Sequence, residues 1–306
     1  MIRISLTNVN WSSIMVRIKQ LTTTQRAQII KCLCEGMSIR STVRITGAAK
    51  NTVAKLLCDI GCACADYHHR AVRNLTVQRL QCDEIWSFVG AKKKNVTQEQ
   101  EGWGDVWTWT AIDADTKLCV SYYVGDRGKH SAFAFMDDAA KRINGRIQIT
   151  TDAHKPYLSA VEKAFGGDAD YAQLHKIYGA PEANESRYSP ATCIGCDMKT
   201  VSGVPDPKHV STSYVERQNL NMRMGMRRFT RLTNAFSKKV ENHGHAVALY
   251  FAYYNFCRVH TTLRVTPAME AGLSDHVCSV EELVALMPEP QAKKRGPYKK
   301  RDQISN

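Results

Sequence analysis

The chain has 306 residues, with 42 Lys+Arg against 29 Asp+Glu and a formal net charge of +13. Its 43 % hydrophobic and 23 % charged residues form an ordinary globular balance, which excludes wholesale disorder. No run of about 18 apolar residues occurs, so neither a membrane span nor a membrane partner is expected, and the basic excess points to nucleic acid.

Residues 1–20 show no clean period; Met15 competes with Met1 as the start, which would make the preceding stretch an upstream extension. No charged segment followed by an apolar one opens the chain, so no signal peptide is expected. The 11 cysteines, irregularly spaced, read as reduced thiols of a cytoplasmic protein. Thr22, Thr23 and Thr24 offer caps for a helix with Ala27, Ile30 and Leu33 on one face, closed by Gly36. Ser38 caps a second helix carrying Ile39, Val43 and Ile45. After Gly47 a third is expected over Ala48–Cys58, with Val53, Leu56 and Leu57 inward. Short helices joined by a glycine turn predict a helix-turn-helix over 21–64. The exposed start of its last helix, Lys50, Asn51, Thr52 and Lys55, has the chemistry to read base edges in the major groove. A plain three-helix packing unit is the alternative. Residues 65–79 read as a linker.

From residue 80 the pattern becomes that of strands, at Leu80–Val89, Trp107–Asp113, Leu118–Gly125, Arg146–Thr151 and Tyr171–Tyr178. Helices are expected over Ser131–Ile143, Tyr157–Phe165, from about Thr212, and over Asn242–Cys257. Residues 179–210 read as a loop insertion. The order βββαβαβα predicts an α/β domain built on a mixed sheet, over 80–275. A short helix capped by Ser279 and Glu282, then a basic tail, complete residues 276–306.

Charge divides along the chain. Residues 1–79 carry +9, 80–211 carry −3, 212–264 carry +7, 265–287 carry −4 and 288–306 carry +4. An acidic centre between basic flanks fits a carboxylate site that needs a cation, with phosphate-gripping surfaces around it. Asp83 lies in the first strand, Asp152 ends the fourth, and Glu216 begins a basic helix. If the first and fourth strands are neighbours, folding unites them into a site for hard divalent ions. Surface carboxylates or caps are the simpler explanation of such acids, and Glu84, Asp105, Asp113 and Asp115 compete. Arg217, Asn219, Arg223, Arg227, Arg228 and Arg231 follow Glu216 and suit phosphate contact. Lys92, Lys93 and Lys94 read as a charged loop, and the aromatic run Tyr250–Phe256 as core.

The stretches GMSIRSTVRITGAAKNTVAKLL (36–57), QCDEIWSFVGAKKKN (81–95), GDVWTWTAIDADTKL (104–118), TTDAHKPY (150–157) and SYVERQNLNMRMGMRRFTRLTNAFSKK (213–239) form an ordered set. With them the chain resembles the transposases of the insertion-sequence-one family, acid-triad enzymes with a ribonuclease-H-like catalytic domain. The resemblance covers roughly residues 20–275. It implies that Asp83, Asp152 and Glu216 are the catalytic, metal-holding triad, with Mg2+ or Mn2+ as cofactor and two ions bound. It implies cleavage and strand transfer at the ends of an insertion element. The partners would be the terminal inverted repeats and target DNA, in a homo-oligomeric synapse at the nucleoid. A catalytically dead DNA-binding regulator and a nuclease or resolvase of the same fold are the rivals. No cysteine pair precedes Cys32, so the zinc module that family members often carry is not expected. Cys193-x-x-Cys196 is half a zinc site that His175 or His209 would have to complete; plain loop cysteines are the simpler reading, and zinc is not expected. The tail AKKRGPYKKR (292–301) suits either a minor-groove arm or a solubilising extension.

Overall fold

The computed structural model describes residues 21–98, 100–179, 193–230 and 234–288. The extension over 1–20, Arg231 and the basic tail lie outside the described residues.

Three helices come first: α1 (Thr23–Cys34), α2 (Ile39–Thr46) and α3 (Lys50–Ala71). Thr22 and Gln25 form a capping box on α1, Ser38 caps α2, and Gly47 closes α2 at φ +69°. Ile45, expected on the inner face of α2, is 56 % exposed; Thr42 holds the buried position instead. The helix expected to stop at Cys58 continues to Ala71, through residues read as a linker. The reason is that its buried stripe, Val53, Leu56, Leu57, Ile60, Cys64 and His68, keeps helical spacing throughout.

A six-stranded sheet follows, in the order β3-β2-β1-β4-β5-β6. Its strands are β1 (Arg79–Val89), β2 (Gly104–Asp113), β3 (Cys119–Gly125), β4 (Ile147–Asp152), β5 (Ala169–Tyr178) and β6 (Cys193–Ser202). The meander β1-β2-β3 is antiparallel, β1, β4 and β5 are parallel neighbours, and β6 runs antiparallel to β5. The protein is therefore α/β, with a mixed sheet flanked by helices. About a third of the expected loop insertion, Cys193–Ser202, is strand β6. Its residues are exposed along nearly the whole strand, so no apolar alternation betrayed it in the sequence. Residues 180–192 of that insertion lie outside the described residues.

Strand alternation divides the core in two. Leu80, Cys82, Trp109, Ile149 and Tyr171 face α4 (Lys129–Ala140) and α5 (Pro156–Phe165), which bring Phe135, Met136 and Tyr157. Ile85 and Ile112 face the other way, toward α6 (Ser213–Gly225) and α7 (Val240–Ala252). The α1–α3 group joins this second core through Ile29, Ile30, Leu56 and Ile60. The aromatic run is core, as its spacing indicates: Tyr250, Phe251, Tyr254 and Phe256 are buried. It continues α7 as a π turn over Tyr253–Cys257. Asn255 then pairs with the backbone N–H and carbonyl of Cys119 on β3, at 2.9 and 3.0 Å.

Two glycines permit close approaches between helices. A Cβ on Gly61 of α3 would lie 2.4 Å from Cβ of His245 on α7, so no side chain fits where these helices cross. Gly36, at φ +75°, closes α1 directly against the carbonyl of Gly225, the last residue of α6. Two short helices end the described chain. Pro267 opens α8 (Pro267–Glu270) behind a Thr266 cap, and Ser279 and Glu282 make the expected capping box of α9 (Val280–Ala285). No helix of the described residues is long and apolar enough to cross a membrane.

Candidate active site

Strands β1 and β4 set the site. Their last paired residues are Cys82 and Thr151, so Asp83 and Asp152 stand side by side one position on. There β4 ends while β1 runs on to Val89 paired with β2, apart from one bridge of Val89 to Ser237, which opens a crevice at the carboxyl ends of parallel strands. Such crevices are the usual ligand positions of open α/β sheets. Asp152 Oδ1 accepts from the His154 N–H at 3.0 Å, an arrangement that turns the chain out of β4 toward α5.

Alternation sends Asp83 toward α6 and Glu84 toward α5, yet where β4 stops their carboxylates converge. Donor atoms of Asp83, Glu84 and Asp152 all lie within 4.8 Å of one another. The Glu84 side chain is fully buried, bound by Arg127 at 2.6 Å and by the Tyr157 hydroxyl at 3.1 Å. Arg127 also reaches Asp152 at 3.8 Å and stacks its guanidinium 4.6 Å from the Trp107 ring centre. Burial, then the charges of Glu84 and Asp152, push the Asp83 carboxyl up to about 7. Burial and the Asp152 charge push Glu84 up to about 7 as well, against the pull of Arg127.

Glu216 sits in the first turn of α6, which packs across β1. The Gln81 side-chain oxygen receives the Tyr214 N–H at 2.8 Å and so fixes the start of this helix. The Glu216 carboxylate is paired with Lys176 of β5 and accepts from the Thr212 hydroxyl. It stands outside the close group of three, although its charge contributes to raising Asp83. One turn further on, Asn219 donates to Asp83 Oδ2 at 2.8 Å. Of the expected triad, then, folding brings Asp83 and Asp152 into contact range, holds Glu216 nearby on a lysine, and adds Glu84. The sequence carried one signal for Glu84: it interrupts the apolar face that Leu80 and Cys82 begin.

The basic residues divide. Lys50, Asn51, Thr52 and Lys55 are exposed at the start of α3, with Lys55 paired to Asp59. Arg217 and Arg227 are exposed, and Arg223 is half-buried. Asn219 is turned inward. Arg228 is half-buried, donating to Ser237 Oγ at 2.6 Å, and burial lowers its guanidinium to about 10. These two were expected to face phosphates. Asn219 lies on the inner stripe of α6 against the sheet, whereas Arg228 follows that helix in a short 3-10 turn over Arg227–Phe229. A cleft of about 550 Å³ between the α1–α2 turn and the end of α6 brings Arg40, Lys50, Arg227 and Arg228 to one wall system.

The remaining candidates have structural explanations. Asp113 accepts from the Asp115 N–H and the Thr116 hydroxyl, at 3.0 and 2.6 Å, as a turn residue, and Asp115 pairs with Arg79. Asp105 accepts the Lys93 N–H at 3.0 Å within the Lys92–Lys94 loop. Cys193 and Cys196 place their sulfurs 4.0 Å apart on β6. Neither of the histidines that would have to complete a zinc site joins them. His209 bonds Arg79 at 2.6 Å, and His175 lies opposite Asp197 on β6, one position out of step with Cys196. All eleven cysteines are free thiols.

Comparison with protein-family models gives no match, and comparison with curated proteins gives none either.

Proposed function

We propose that the chain is a DNA transposase that cuts phosphodiester bonds at the ends of an insertion element and joins the freed 3′-hydroxyls to target DNA. The observation that carries this reading is the placement of Asp83 and Asp152, side by side at the ends of parallel neighbours β1 and β4, under a helix bearing Glu216. The family resemblance implies the same three residues on the same three elements. A central meander followed by parallel strands supports the ribonuclease-H-like assignment of the sheet. The capped α2, the Gly47 turn and the exposed start of α3 support a helix-turn-helix as the end-recognition module.

The donors suit Mg2+ or Mn2+. All are oxygens, and two carboxyls are raised to about 7, by burial first and then by the neighbouring carboxylate charges that a cation would offset. The Oδ1 oxygen of Asn219 is buried next to Asp83 with no partner. Asp83 and Asp152, with Glu216 as the third carboxylate, are the residues to hold two such ions. When bound, the ions activate the attacking oxygen and neutralise charge on the leaving one. The chain itself contributes positioning and field. Arg127 restrains Glu84 and Asp152, and Lys176 keeps Glu216 in reserve at the crevice mouth. Lys50, Arg227 and Arg217 supply exposed charge for the DNA backbone, double-stranded at the terminal repeats and in the target. Bringing two ends together requires a homo-oligomer, and such chemistry places the protein at the nucleoid.

The test is a strand-transfer assay with labelled duplexes carrying the DNA that flanks this gene. Joined products in Mg2+ from the native chain, and none from Asp83→Asn or Asp152→Asn that still bind the ends, are the expected result. Cleavage with no joining identifies a nuclease instead. Binding with neither reaction identifies a regulator.

A further inference from the structure

We propose a second metal site, for a zinc-type transition ion, formed by His276, Cys278 and Glu282 at the start of α9. Nothing in the DNA-cleaving reading uses these residues. Donor atoms of the three lie within 4.8 Å of one another, the one other such group besides the carboxylates among the described residues. His276 Nε2 is 3.8 Å from Cys278 Sγ and 2.8 Å from Glu282 Oε1. A tetrahedral zinc ion, with bonds of about 2.3 Å to sulfur and about 2.0 Å to nitrogen or oxygen, separates its ligands by roughly 3.3–3.6 Å. The cysteine–histidine pair is close to that spacing, and the glutamate–histidine pair needs to open only slightly.

The surroundings fit a ligand set better than a chance surface ion pair. Asp275 Oδ1 takes the other ring nitrogen of His276, Nδ1, at 2.6 Å. A carboxylate in that position orients a metal-binding imidazole and raises its basicity. The second oxygen of Glu282, Oε2, is held by the N–H and hydroxyl of Ser279, both at 2.7 Å, which leaves Oε1 directed at the histidine. Cys278 is fixed by its own N–H, which donates to the Phe256 carbonyl at 3.0 Å. One His nitrogen, one thiolate and one carboxylate select a borderline ion such as Zn2+ over Mg2+. His276 is half-exposed, so water can fill the fourth position. The Cys257 sulfur turns to the Ser279 carbonyl, at 3.9 Å.

Binding replaces the proton on His276 Nε2 and the thiol proton of Cys278, so up to two protons leave per ion; the Nδ1 proton stays shared with Asp275. The ion would pin the α9 cap. Helix α9 lies on α1, through the Lys31–Glu281 pair at 2.8 Å and the buried Val280, Leu283 and Val284. The site would thus clamp the end of the described chain to its first helix. The earlier expectation against zinc weighed cysteine pairs, and this set has a single cysteine.

The experiment uses the full chain, equilibrated with Zn2+ or Co2+ in excess Mg2+ and then desalted. The native protein should retain about one more zinc per chain than Cys278→Ser or His276→Ala. Its Co2+ form should show a near-ultraviolet thiolate-to-cobalt band that Cys278→Ser reduces. Equal zinc content in native and variant chains, or a cobalt spectrum unchanged by Cys278→Ser, overturns the site. Absence of any thiolate band in the native protein overturns it without reference to how the variants fold.

Discussion

Asn219 donates its amide to Asp83 Oδ2 at 2.8 Å while its own carbonyl oxygen, buried beside it, has no partner. This bond ties α6 to β1 at the proposed metal site, one turn from Glu216. Asn219→Ala removes the donor from a buried carboxyl and should cost about 1–3 kcal/mol in denaturant unfolding. Strand transfer should fall further than stability does, because Glu216 loses its register to Asp83. Asn219→Asp adds a further carboxylate beside Asp83 and should lower the Mg2+ concentration needed for half-maximal joining at pH 8. Unchanged Mg2+ dependence in both variants would remove Asn219 from the site.

Asp83 gives a pH signature. Its folded pKa, about 7, lies above its ordinary value of 3.8, so the folded state binds the proton more tightly than the unfolded one. Ionising it therefore takes stability away as pH rises from about 4 through 7, and the loss is complete above that. Asp83→Asn escapes this cost. Without divalent ions its Tm should exceed that of the native chain at pH 8, and the gap should close at pH 5. Adding Mg2+ at pH 8 should raise the native Tm and leave the variant nearly unmoved. A gap that widens toward acid contradicts the assignment.

The strands and the core aromatics were legible because each rests on local periodicity over a half-buried surface; the β1–β4 adjacency entered only as a condition, since pairing of distant strands leaves no local pattern. The convergence of Glu84 with Asp83 was not legible, since alternation places neighbours on opposite faces and says nothing of a strand end where β4 stops. Strand β6 was hidden for the opposite reason: Cys193–Ser202 is exposed along nearly its whole length, so it has pairing without a hydrophobic pattern. The inward turn of Asn219 depends on how α6 rolls against the sheet, which its mixed sequence does not dictate, and that of Arg228 on the 3-10 turn after the helix.

Glu84 and Glu216 should separate in their effects. The Glu84 side chain is fully buried and bonded to Arg127 and Tyr157, whereas Glu216 is 38 % exposed. Glu84→Gln disturbs a buried network and should lower stability by about 1–3 kcal/mol, with Arg127 still able to reach water. Glu216→Gln should leave unfolding within about 0.5 kcal/mol of native and still abolish joining. Differential scanning alongside the joining assay reads both. A fully active Glu216→Gln protein would move the third carboxylate role to Glu84.

Gly61 tests how the first three helices are joined to the rest. Its missing side chain lets α3 cross α7 with His245 Cβ only 2.4 Å from where a Cβ would stand. Gly61→Ala gains helix propensity but forces the backbones apart, and the clash is with Cβ, Cα and carbonyl of His245, none of which can swing away. The net effect should be a loss of about 1–3 kcal/mol, seen as a lower denaturation midpoint. A stabilised Gly61→Ala protein would mean that α3 and α7 do not meet this closely.

The exposed start of α3 should read sequence, and the exposed arginines after Glu216 should not. Lys50 and Asn51 stand on the first turn of α3, open to solvent, with the backbone N–H groups of that turn beside them. Asn51→Ala should weaken binding to cognate ends by a factor reflecting about 1–3 kcal/mol, with little change on unrelated duplex. Arg227→Ala should weaken both alike and reduce the slope of log affinity against log salt by about 1. Fluorescence anisotropy on cognate and scrambled ends at several salt concentrations distinguishes the two. If Asn51→Ala loses affinity equally for both duplexes, α3 contacts the backbone and end recognition lies elsewhere in the chain.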